Sequence, residues 1–400
     1  MRAIENGEPL ACVLGDADLL RALGIAGVPC VVAAAPGEPA RYSRFARVVL
    51  DWADAWDRPE ALLESLERFG AAQSTRPVLF YEEDRELLLV SRSRERLRRH
   101  FRFVVPAAEL VEDLVDKGRF QALAQRLDLP VPAARVLDPR ADSVPLDLPL
   151  PLVLKPLVRR GDQWDPIAGG AKALRVDSPL ALASLWPRLA AARITVVLQE
   201  LIPGPETCIE SYHVYVDEHG ETVGEFTGRK LRTWPLSHGD STALVITDAP
   251  DVTALGREVA RRLGLRGVAK FDFKRAPDGR LYLLEVNPRF TLWHHLGARA
   301  GVNIPAQVYA DLAGLPRAAM RQARAGARWC KPWDDVRAAR AAGISFLRWL
   351  PWALSCEATR VVAWDDPMPF IRGVLWRVMS RVFRSRRGDP LPRQEMRHAA

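Results

Sequence analysis

Short apolar runs alternate with a helical pattern over residues 10–105. Strands are predicted at LACVLG, which reads as buried, and at VPCVVAAA and RVVLDWAD, and a helix is predicted over Asp16–Leu23. Strands that alternate with helices are typical of parallel βαβ units. This part of the chain is therefore predicted to be a Rossmann-like α/β domain, with Gly15 beside the crevice at the carboxyl ends of its strands.

From residue 106 the pattern changes to a helical segment and then to strands interrupted by proline. Two strands, LPLPLVLKP and TVVLQELIPGPE, precede a pair of alternating segments, YHVYV and TVGEFTG, which are predicted to form a hairpin. An amphipathic helix is predicted at ALGREVARRLGLRG. The predicted fold class is thus α/β (α+β), and we predict three domains with the bounds 1–105, 106–325 and 326–400.

A second hairpin is predicted over Lys270–Arg289, KFDFKRAPDGRLYLLEVNPR, because two strand patterns flank a strong Asp-Gly turn signal. Asp272 lies before the turn and Glu285 after it, and Asn287 shares the face of Glu285 since side chains alternate along a strand. Three oxygen ligands in one place suit a hard cation such as Mg²⁺. Arg289 adds a guanidinium that could bind a phosphate or a carboxylate. An exposed hairpin with surface charges is the simpler alternative.

A lysine and several glycines upstream of this hairpin are typical of an anion site. Lys155 ends an apolar strand, where its ammonium can act as a point charge on a phosphate. Residues 159–172 then contain Gly169, Gly170 and Lys172. We predict that they form a loop that covers a phosphate with its backbone N–H groups.

Two further charged groups have open interpretations. Arg229, Lys230 and Arg232 follow a predicted strand, and three cations would be costly in a core, so they face solvent or an anionic ligand. The acidic residues Glu82, Glu83 and Asp84 could contact an amine substrate or form a solvated turn, and the sequence favours neither.

Composition narrows the class of protein. The chain has 400 residues, of which 48% are hydrophobic and 26% charged, and this suits two or three globular domains. We find no signal peptide pattern and no apolar run long enough for a spanning helix, and the five cysteines are scattered. A cytoplasmic protein with reduced thiols is therefore predicted.

The carboxyl-terminal tail over residues 326–400 is rich in Trp and Arg, and residues 331–400 carry six of the eight net positive charges. Apolar residues between 368 and 384 fall on one face, so a basic amphipathic helix is predicted. Through residues 368–387 it could lie on the inner face of a membrane, or it could pack on the protein body or on a second copy in a homodimer. No motif for reading a nucleic-acid groove is present, and no nucleic-acid partner is predicted.

The order of these features resembles the ATP-grasp superfamily of ADP-forming carboxylate–amine ligases. The chain has five features in the same order as in that family: a helix with a lysine, a strand ending in lysine, a glycine-containing loop, QELIPG and the LEVNPR hairpin. The segment GRKLR is similar to the D-aspartate-ligase-like branch of the family. The resemblance covers about residues 10–320. It implies an amino-terminal pre-ATP-grasp domain, an ATP-grasp domain and a helical basic tail.

The resemblance also implies roles for individual residues. The three oxygen ligands of the hairpin would hold Mg²⁺, or Mn²⁺, against the phosphates of ATP. Arg229, Lys230 and Arg289 would bind anionic groups during catalysis. Nucleotide contacts, including adenine pairing by residues 200–202 and ribose binding by residue 206, are implied for Lys117, Lys155, Gly169, Gly170, Lys172, Glu200, Leu201, Ile202 and Glu206.

The function implied by the resemblance is ATP-dependent ligation. A small-molecule carboxylate would be activated as an acyl phosphate, and an amine would then displace phosphate to give an amide, with release of ADP. Two alternatives stay open. One is a catalytically inactive ATP-binding scaffold recruited to a membrane surface, and the other is an ATP-grasp kinase or ligase with a non-amine acceptor.

Overall fold

The computed structural model describes residues 8–145, 147, 149–158, 160–169, 171–360 and 362–375. The first sheet has four parallel strands in the order β3-β2-β1-β4. Its strands are β1 (Ala11–Leu14), β2 (Cys30–Ala33), β3 (Ala46–Leu50) and β4 (Val78–Tyr81), and its helices are α1 (Ala17–Ile25), α2 (Pro59–Ala71), α3 (Asp84–Arg92) and α4 (Arg94–Arg98). Strands β1, β2 and β4 are buried along their whole length, as expected for apolar strands covered on both faces. The predicted βαβ organisation is confirmed.

A crevice opens where β1 and β4 end, because the connections from these two neighbouring strands lead to opposite sides of the sheet. The chain turns at Gly15 directly into α1, and Asp16 caps this helix by accepting the Asp18 N–H at 2.8 Å. Gly15 permits close packing here, since a Cβ at this position would lie 2.7 Å from Glu82 Oε2.

A second sheet has four antiparallel strands in the order β5-β8-β6-β7. Its strands are β5 (Ala134–Leu137), β6 (Leu152–Pro156), β7 (Leu174–Val176) and β8 (Val196–Glu200), and the helices of this stretch are α5 (Ala108–Val115), α6 (Lys117–Arg126), α7 (Gly161–Ala168) and α8 (Pro179–Ala191). Trp164 of α7 is fully buried, and its indole N–H donates to the Ala171 carbonyl at 2.7 Å. Helix α7 is therefore fixed against the sheet.

The third sheet has seven strands in the order β13-β12-β9-β10-β11-β14-β15. Its strands are β9 (Ile209–Val216), β10 (Thr222–Trp234), β11 (Asp240–Thr247), β12 (Gly267–Arg275), β13 (Leu281–Asn287), β14 (Arg328–Cys330) and β15 (Ala358–Thr359). The accompanying helices are α9 (Pro250–Arg262), α10 (Trp293–Arg299), α11 (Ile304–Ala313), α12 (Pro332–Ala341) and α13 (Phe346–Leu354).

The two faces of this sheet differ in polarity around β12. Phe271 and Phe273 pack with Tyr212 and with apolar residues of α9 in one core. Side chains alternate along a strand, so Asp272 points to the opposite face, where Ser211 of β9 donates a hydrogen bond to it. Around β12, one face of the sheet is therefore apolar and buried, and the opposite face is polar.

The described part of the tail contacts both the third sheet and the first. Strands β14 and β15 extend the third sheet. Beyond them, the buried guanidinium of Arg21 in α1 donates to Asp366 Oδ2 at 3.1 Å and to the carbonyls of Thr359 and Arg360 at 3.2 and 3.0 Å. The first helix and the tail thus share one buried polar cluster.

The predicted amphipathic helix over residues 368–384 lies mostly outside the described residues, as does the part of the proposed membrane contact over residues 376–387. Pro369–Leu375 forms a π-helical turn that packs against the 3-10 helix Pro39–Tyr42. Every helix in the described ranges is too short or too polar to cross a membrane. The domain bounds 1–105, 106–325 and 326–400 stay a prediction.

Candidate functional site

Strands β12 and β13 form the predicted hairpin. Asp272 lies directly opposite Glu285, and Lys270 lies opposite Asn287. Gly279 in the turn has a φ of +87°, which glycine adopts without strain. The hairpin therefore brings the two carboxylates and the amide to one end of the sheet, as the alternation of its sequence predicted.

Asp272 is a buried carboxylate with two donors. It is 2% exposed, Lys270 Nζ donates to its Oδ2 at 2.5 Å, and Ser211 Oγ donates to its Oδ1. Burial would raise the pKa of Asp272, but the cations of Lys270 and Lys230 outweigh burial and hold this pKa well below its usual range. Asp272 is therefore ionised at physiological pH.

Glu285 is exposed beside this buried group, and Asn287 Nδ2 donates to its Oε1 at 3.2 Å. Two carboxylates and an amide oxygen are a donor set that suits a hard cation. Within the described residues, no cluster of three or more His, Cys, Asp or Glu side chains is placed to hold a metal. A cation at the hairpin would therefore complete its coordination with water or substrate oxygens, and the residues present fit Mg²⁺ in this sense.

Lys155 lies close to the hairpin although it comes from the second sheet. Its Nζ donates to Gln199 Oε1 at 2.9 Å. Burial lowers the pKa of Lys155, the Glu285 carboxylate opposes this shift, and the ammonium groups of Lys117 and Lys230 add to it. Lys117, Lys155 and Lys230, which come from separate elements, therefore interact at one place, and we call them the lysine cluster. Such a concentration of positive charge favours a polyanionic ligand.

Lys117 and Lys172 have different surroundings. Lys117 begins α6, and its Nζ donates to the carbonyls of Pro156 and Leu157 at 3.1 and 3.0 Å, beside the end of β6. Lys172 instead forms an ion pair with Asp240 at the start of β11. The structure thus brings Lys117 to the lysine cluster, whereas Lys172 connects the second sheet to the third.

The prediction of a phosphate-covering loop over residues 159–172 is wrong for eight of these residues, because they form helix α7. The buried Trp164 explains the difference, because its burial stabilises a helical conformation that the glycines on either side do not indicate. Gly169 ends α7 with a left-handed φ of +61°, as glycine commonly does at a helix terminus. Gly170 lies outside the described residues.

The predicted nucleotide strand corresponds to β8 and the residues after it. The Glu200 N–H donates to the Ala133 carbonyl at 2.8 Å, and the Leu201 N–H donates to the Pro151 carbonyl at 3.2 Å. Ile202 is buried. The backbone N–H groups of this segment therefore connect it to both neighbouring parts of the second sheet, and pairing with adenine stays a prediction.

Glu206 begins a short 3-10 helix after β8. One of its oxygens lies 3.8 Å from His238 Nδ1, and its carboxylate also acts on Lys155, whose pKa it raises against the larger effect of burial. Glu206 therefore lies near the lysine cluster. Ribose binding by this residue stays a prediction.

Strand β10 separates the three predicted cations. Lys230 is half-buried, and its charge helps to lower the pKa of Asp272, an effect that burial opposes. Arg229 is exposed, and as the preceding residue it points to the opposite face. Arg232 forms an ion pair of 2.7 Å with the fully buried Asp335 of α12, so the prediction that it faces solvent or an anionic ligand is wrong.

Arg289 connects the hairpin to the crevice in the first sheet. Its Nε donates to Asp84 Oδ1 at 2.5 Å, its Nη1 to the Glu82 carbonyl at 2.8 Å and its Nη2 to Asn287 Oδ1 at 3.4 Å. The acidic residues after β4 are thus not a solvated turn throughout, because Glu82 is 6% exposed. Binding of an anionic substrate group by Arg289 stays a prediction.

Two lysines that surround Asp272 were not predicted from the sequence. Lys270 and Lys274 lie two residues before and after it on β12, so they share its face. Lys274 Nζ donates to the carbonyls of Gly204 and Pro205 at 2.7 and 2.9 Å, which joins the hairpin to the turn after β8. The period of two along the strand was sufficient to find both lysines.

Sequence comparisons find similar proteins. A family model described as "ATP-grasp in the biosynthetic pathway with Ter operon" matches residues 193–331, which contain the hairpin. The D-aspartate ligase of Enterococcus faecium (strain Aus0004) is 24% identical over 313 residues, which cover 72% of this chain and 73% of that protein. The D-alanine–D-alanine ligase of Azoarcus sp. (strain BH72) is 27% identical over 215 residues, which cover 50% of this chain and 67% of that protein.

Solved structures extend the likeness to most of the chain. The ADP complex of an N5-carboxyaminoimidazole ribonucleotide synthetase superposes with a TM-score of 0.61 and 17% identity, covering 82% of this chain and 81% of that one. The L-amino acid ligase from Bacillus licheniformis gives a TM-score of 0.58 and 15% identity, covering 77% and 75%. At such identities the likeness is one of fold. This chain therefore resembles ATP-grasp proteins in the sequence of residues 193–331, and it shares the fold of the solved structures named here.

Proposed function

We propose that the chain is an ATP-dependent ligase that joins a carboxylate to an amine and releases ADP and phosphate. The observation that carries the proposal is the proximity of two hairpin carboxylates, Asp272 and Glu285, to the lysine cluster around Lys155. The D-aspartate ligase and the L-amino acid ligase among the similar proteins support the same class of reaction.

In the proposed reaction, a carboxylate oxygen of one substrate attacks the γ-phosphorus of ATP, and ADP leaves. A neutral amine then attacks the carbonyl carbon of the acyl phosphate, phosphate leaves, and the nitrogen loses a proton to give the amide. Neither step needs a covalent nucleophile from the protein. The side chains would act by positioning the reactants and by stabilising charge.

Asp272, Glu285 and Asn287 would hold Mg²⁺, or Mn²⁺, in this reaction. When bound, the cation would neutralise part of the charge on the phosphates. The low pKa of Asp272, which Lys270 and Lys230 impose against the effect of burial, keeps that carboxylate ionised.

The lysines would orient the phosphates of ATP. Lys155 reaches the site from the end of β6, Lys117 from the start of α6 and Lys230 from β10. Because Lys155 is half-buried among other ammonium groups, an incoming phosphate would relieve their repulsion. The remaining proposed nucleotide contacts are Gly169, Gly170, Lys172, Glu200, Leu201, Ile202 and Glu206.

Replacing Lys155 with Met should weaken the binding of Mg-ATP by about 10- to 100-fold, since a charged hydrogen bond contributes about 1.5–3 kcal/mol. Calorimetric titration of the full chain with Mg-ATP measures the change. The matched control is Lys331→Met, which removes a lysine that pairs with Asp334 at the start of α12. Equal ATP affinity in the Lys155 and Lys331 variants would contradict the assignment of Lys155.

The proposed reaction is tested by measuring ADP release from Mg-ATP in the presence of pairs of carboxylates and amines. We expect release that depends on both substrates, and a product whose mass equals the acid plus the amine minus one water. ADP release with a phosphorylated product would instead indicate a kinase or a ligase with a non-amine acceptor. ATP binding without any substrate-stimulated ADP release would indicate an inactive scaffold.

Peripheral membrane contact and a homodimer stay proposals for the tail. Helix α13 supports an interaction surface, because Phe346, Leu347 and Leu354 are 52%, 81% and 67% exposed. Flotation with anionic vesicles tests the first proposal, and sedimentation velocity tests the second. A chain that stays monomeric and does not float with vesicles would contradict both.

A further inference from the structure

Strand β14 and helices α12 and α13 enclose a small apolar core of their own. Its buried residues are Cys330 of β14, Ala339 of α12, and Trp349 and Ala353 of α13. Cys356, which follows α13, packs against the same core. Neither cysteine belongs to the residues proposed above for ATP or for the metal, so the proposed reaction leaves both thiols unused.

Cys330 and Cys356 lie beside each other in this core. Both thiols are free, and a hydrogen bond joins one to the other. The strand pairing holds their two segments together, because Cys330 lies opposite Thr359 of β15 and its carbonyl accepts the Arg360 N–H at 3.1 Å. Two thiols in contact on paired segments are in the arrangement that a disulfide requires.

The two thiols differ in their access to solvent. Cys330 is 0% exposed, and the hydrogen bond with Cys356 together with burial raises the pKa of the Cys330 thiol far above its usual range. Cys356 is partly exposed, and its Sγ donates to the Trp352 carbonyl at 3.6 Å. A dissolved oxidant therefore reaches Cys356 first, whereas Cys330 is protected until Cys356 has reacted.

Cys12 and Cys30 provide a contrast. They are also fully buried, on the neighbouring strands β1 and β2, and burial raises the pKa of each thiol to about 12. However, Cys12 packs in the core on one face of the first sheet, and Cys30 packs in the core on the other face. Their side chains therefore point in opposite directions, and these two thiols are not placed to form a disulfide.

We propose that Cys330 and Cys356 form a reversible disulfide when the protein meets a peroxide, and that this bond locks α12 and α13 onto the third sheet. The proposed modification site goes beyond the ligase reaction and does not depend on it.

The oxidation balances with hydrogen peroxide as the oxidant. The thiolate sulfur of Cys356 attacks one oxygen of the peroxide, the O–O bond breaks, and the hydroxide that leaves takes up the thiol proton as water. The sulfur of Cys330 then attacks the sulfenic sulfur of Cys356, the S–O bond breaks, and the released hydroxide takes up the Cys330 proton as a second water. The two thiols lose two electrons in total, and the peroxide gains two.

The disulfide would close a loop of the chain that contains α12 and α13. Asp335 of α12 lies in this loop, where its carboxylate accepts hydrogen bonds from Arg232 of β10 at 2.8 and 2.7 Å and from the Trp349 indole N–H at 2.8 Å. A crosslink reduces the conformational entropy that this unit gains when it opens. The disulfide would therefore hold both helices in place around the buried ion pair of Asp335 with Arg232.

Peptide mapping of the full chain tests the site. The reduced protein is treated with hydrogen peroxide, remaining thiols are alkylated, and the chain is digested with trypsin without a reductant. We expect the peptides 329–337 and 349–360 to appear joined, with their summed mass lowered by two hydrogen atoms, and a dithiol reductant to separate them. Oxidation of Cys356 to a sulfinic acid without this crosslink, or a Cys356 thiol that survives the peroxide unchanged, would overturn the proposal.

Two variants test the order of the two steps. Cys330→Ala should leave the first step intact, so dimedone, which traps sulfenic acids, should label Cys356. Cys356→Ala changes a partly exposed position and should leave Cys330 as a thiol under the same peroxide. The matched control is Cys208→Ala, which removes another partly exposed thiol and should form the crosslink as the wild type does. Oxidation of Cys330 in Cys356→Ala, or loss of the crosslink in Cys208→Ala, would overturn the assignment.

Hydrogen exchange measures the locking of the helices. Backbone amides of α12 and α13 should exchange about tenfold more slowly, or slower still, after oxidation, because the crosslink disfavours local opening. Helix α9, which packs in a different core, is the internal control and should exchange equally in both forms. Equal exchange of α12 and α13 in the two forms would contradict the locking. Because no measurement here uses ATP, the tests stand even if ligase activity is absent, and a working ligase with no crosslink would refute this inference alone.

Discussion

Replacing Glu285 with Gln should lower substrate-stimulated ADP release by about 1,000-fold or more, which corresponds to about 4 kcal/mol of lost transition-state stabilisation. The substitution keeps the shape of the side chain but removes the charge that would hold a divalent cation. Glu285 is exposed, so the fold should not change. A coupled assay of ADP release over a range of Mg²⁺ concentrations measures the effect.

The matched control is Asp278→Asn in the turn of the same hairpin. It makes the same carboxylate-to-amide change at an exposed position outside the ligand set, and its side chain can still accept the Arg280 N–H. We expect this variant to keep wild-type turnover. Full activity in Glu285→Gln, with an unchanged requirement for Mg²⁺, would refute the assignment of the hairpin.

Replacing Asp366 with Asn should reduce the free energy of unfolding by about 3–5 kcal/mol, the usual cost of breaking a buried ion pair. Asp366 is fully buried and accepts hydrogen bonds from Arg21 Nε at 3.1 Å, Ser43 Oγ at 2.9 Å and the Arg44 N–H at 2.8 Å. The substitution leaves the Arg21 guanidinium without its full counter-charge. Urea unfolding followed by tryptophan fluorescence measures the loss.

The neighbouring Asp365 provides a control. It pairs with Arg299 at a partly exposed position, so Asp365→Asn should cost less than about 1 kcal/mol. If the two variants unfold at the same urea concentration, the tail does not stabilise the first sheet through this buried cluster. A larger loss in Asp366→Asn alone would support the anchoring of the tail.

Features set by local pattern were predictable from the sequence. The hairpin follows from two alternating strands around Asp-Gly, which places Asp272 and Glu285 together without any information from the rest of the chain. The parallel first sheet follows from apolar runs that alternate with helices. The two strands of the hairpin are near in sequence, so turn chemistry determines their pairing. In the first sheet the periodicity predicts the kind of sheet, although β1 pairs with the distant β4.

Features set by distant contacts were not predictable. Ser211 donates a hydrogen bond to Asp272 of another strand, and Gln199 accepts one from Lys155 of another strand. The sequences around Ser211 and Gln199 do not indicate these contacts. Arg289 donates a hydrogen bond to Asp84, which is 205 residues away in the sequence. Strand β15 has two residues, fewer than a period-two pattern needs to be recognised. These contacts depend on how the sheets pack, which a single sequence does not specify.

The buried pairing of α1 with the tail has a consequence for the order of events during synthesis. Arg21 meets Asp366 across 345 residues, so the first helix leaves the ribosome long before its counter-charge exists. At about 5–20 residues per second, roughly 20–70 s separate the two. Until then the Arg21 guanidinium lacks the Asp366 carboxylate, although it can pair with Asp18 of its own helix, and a chain shortened before Asp366 would never gain that second partner.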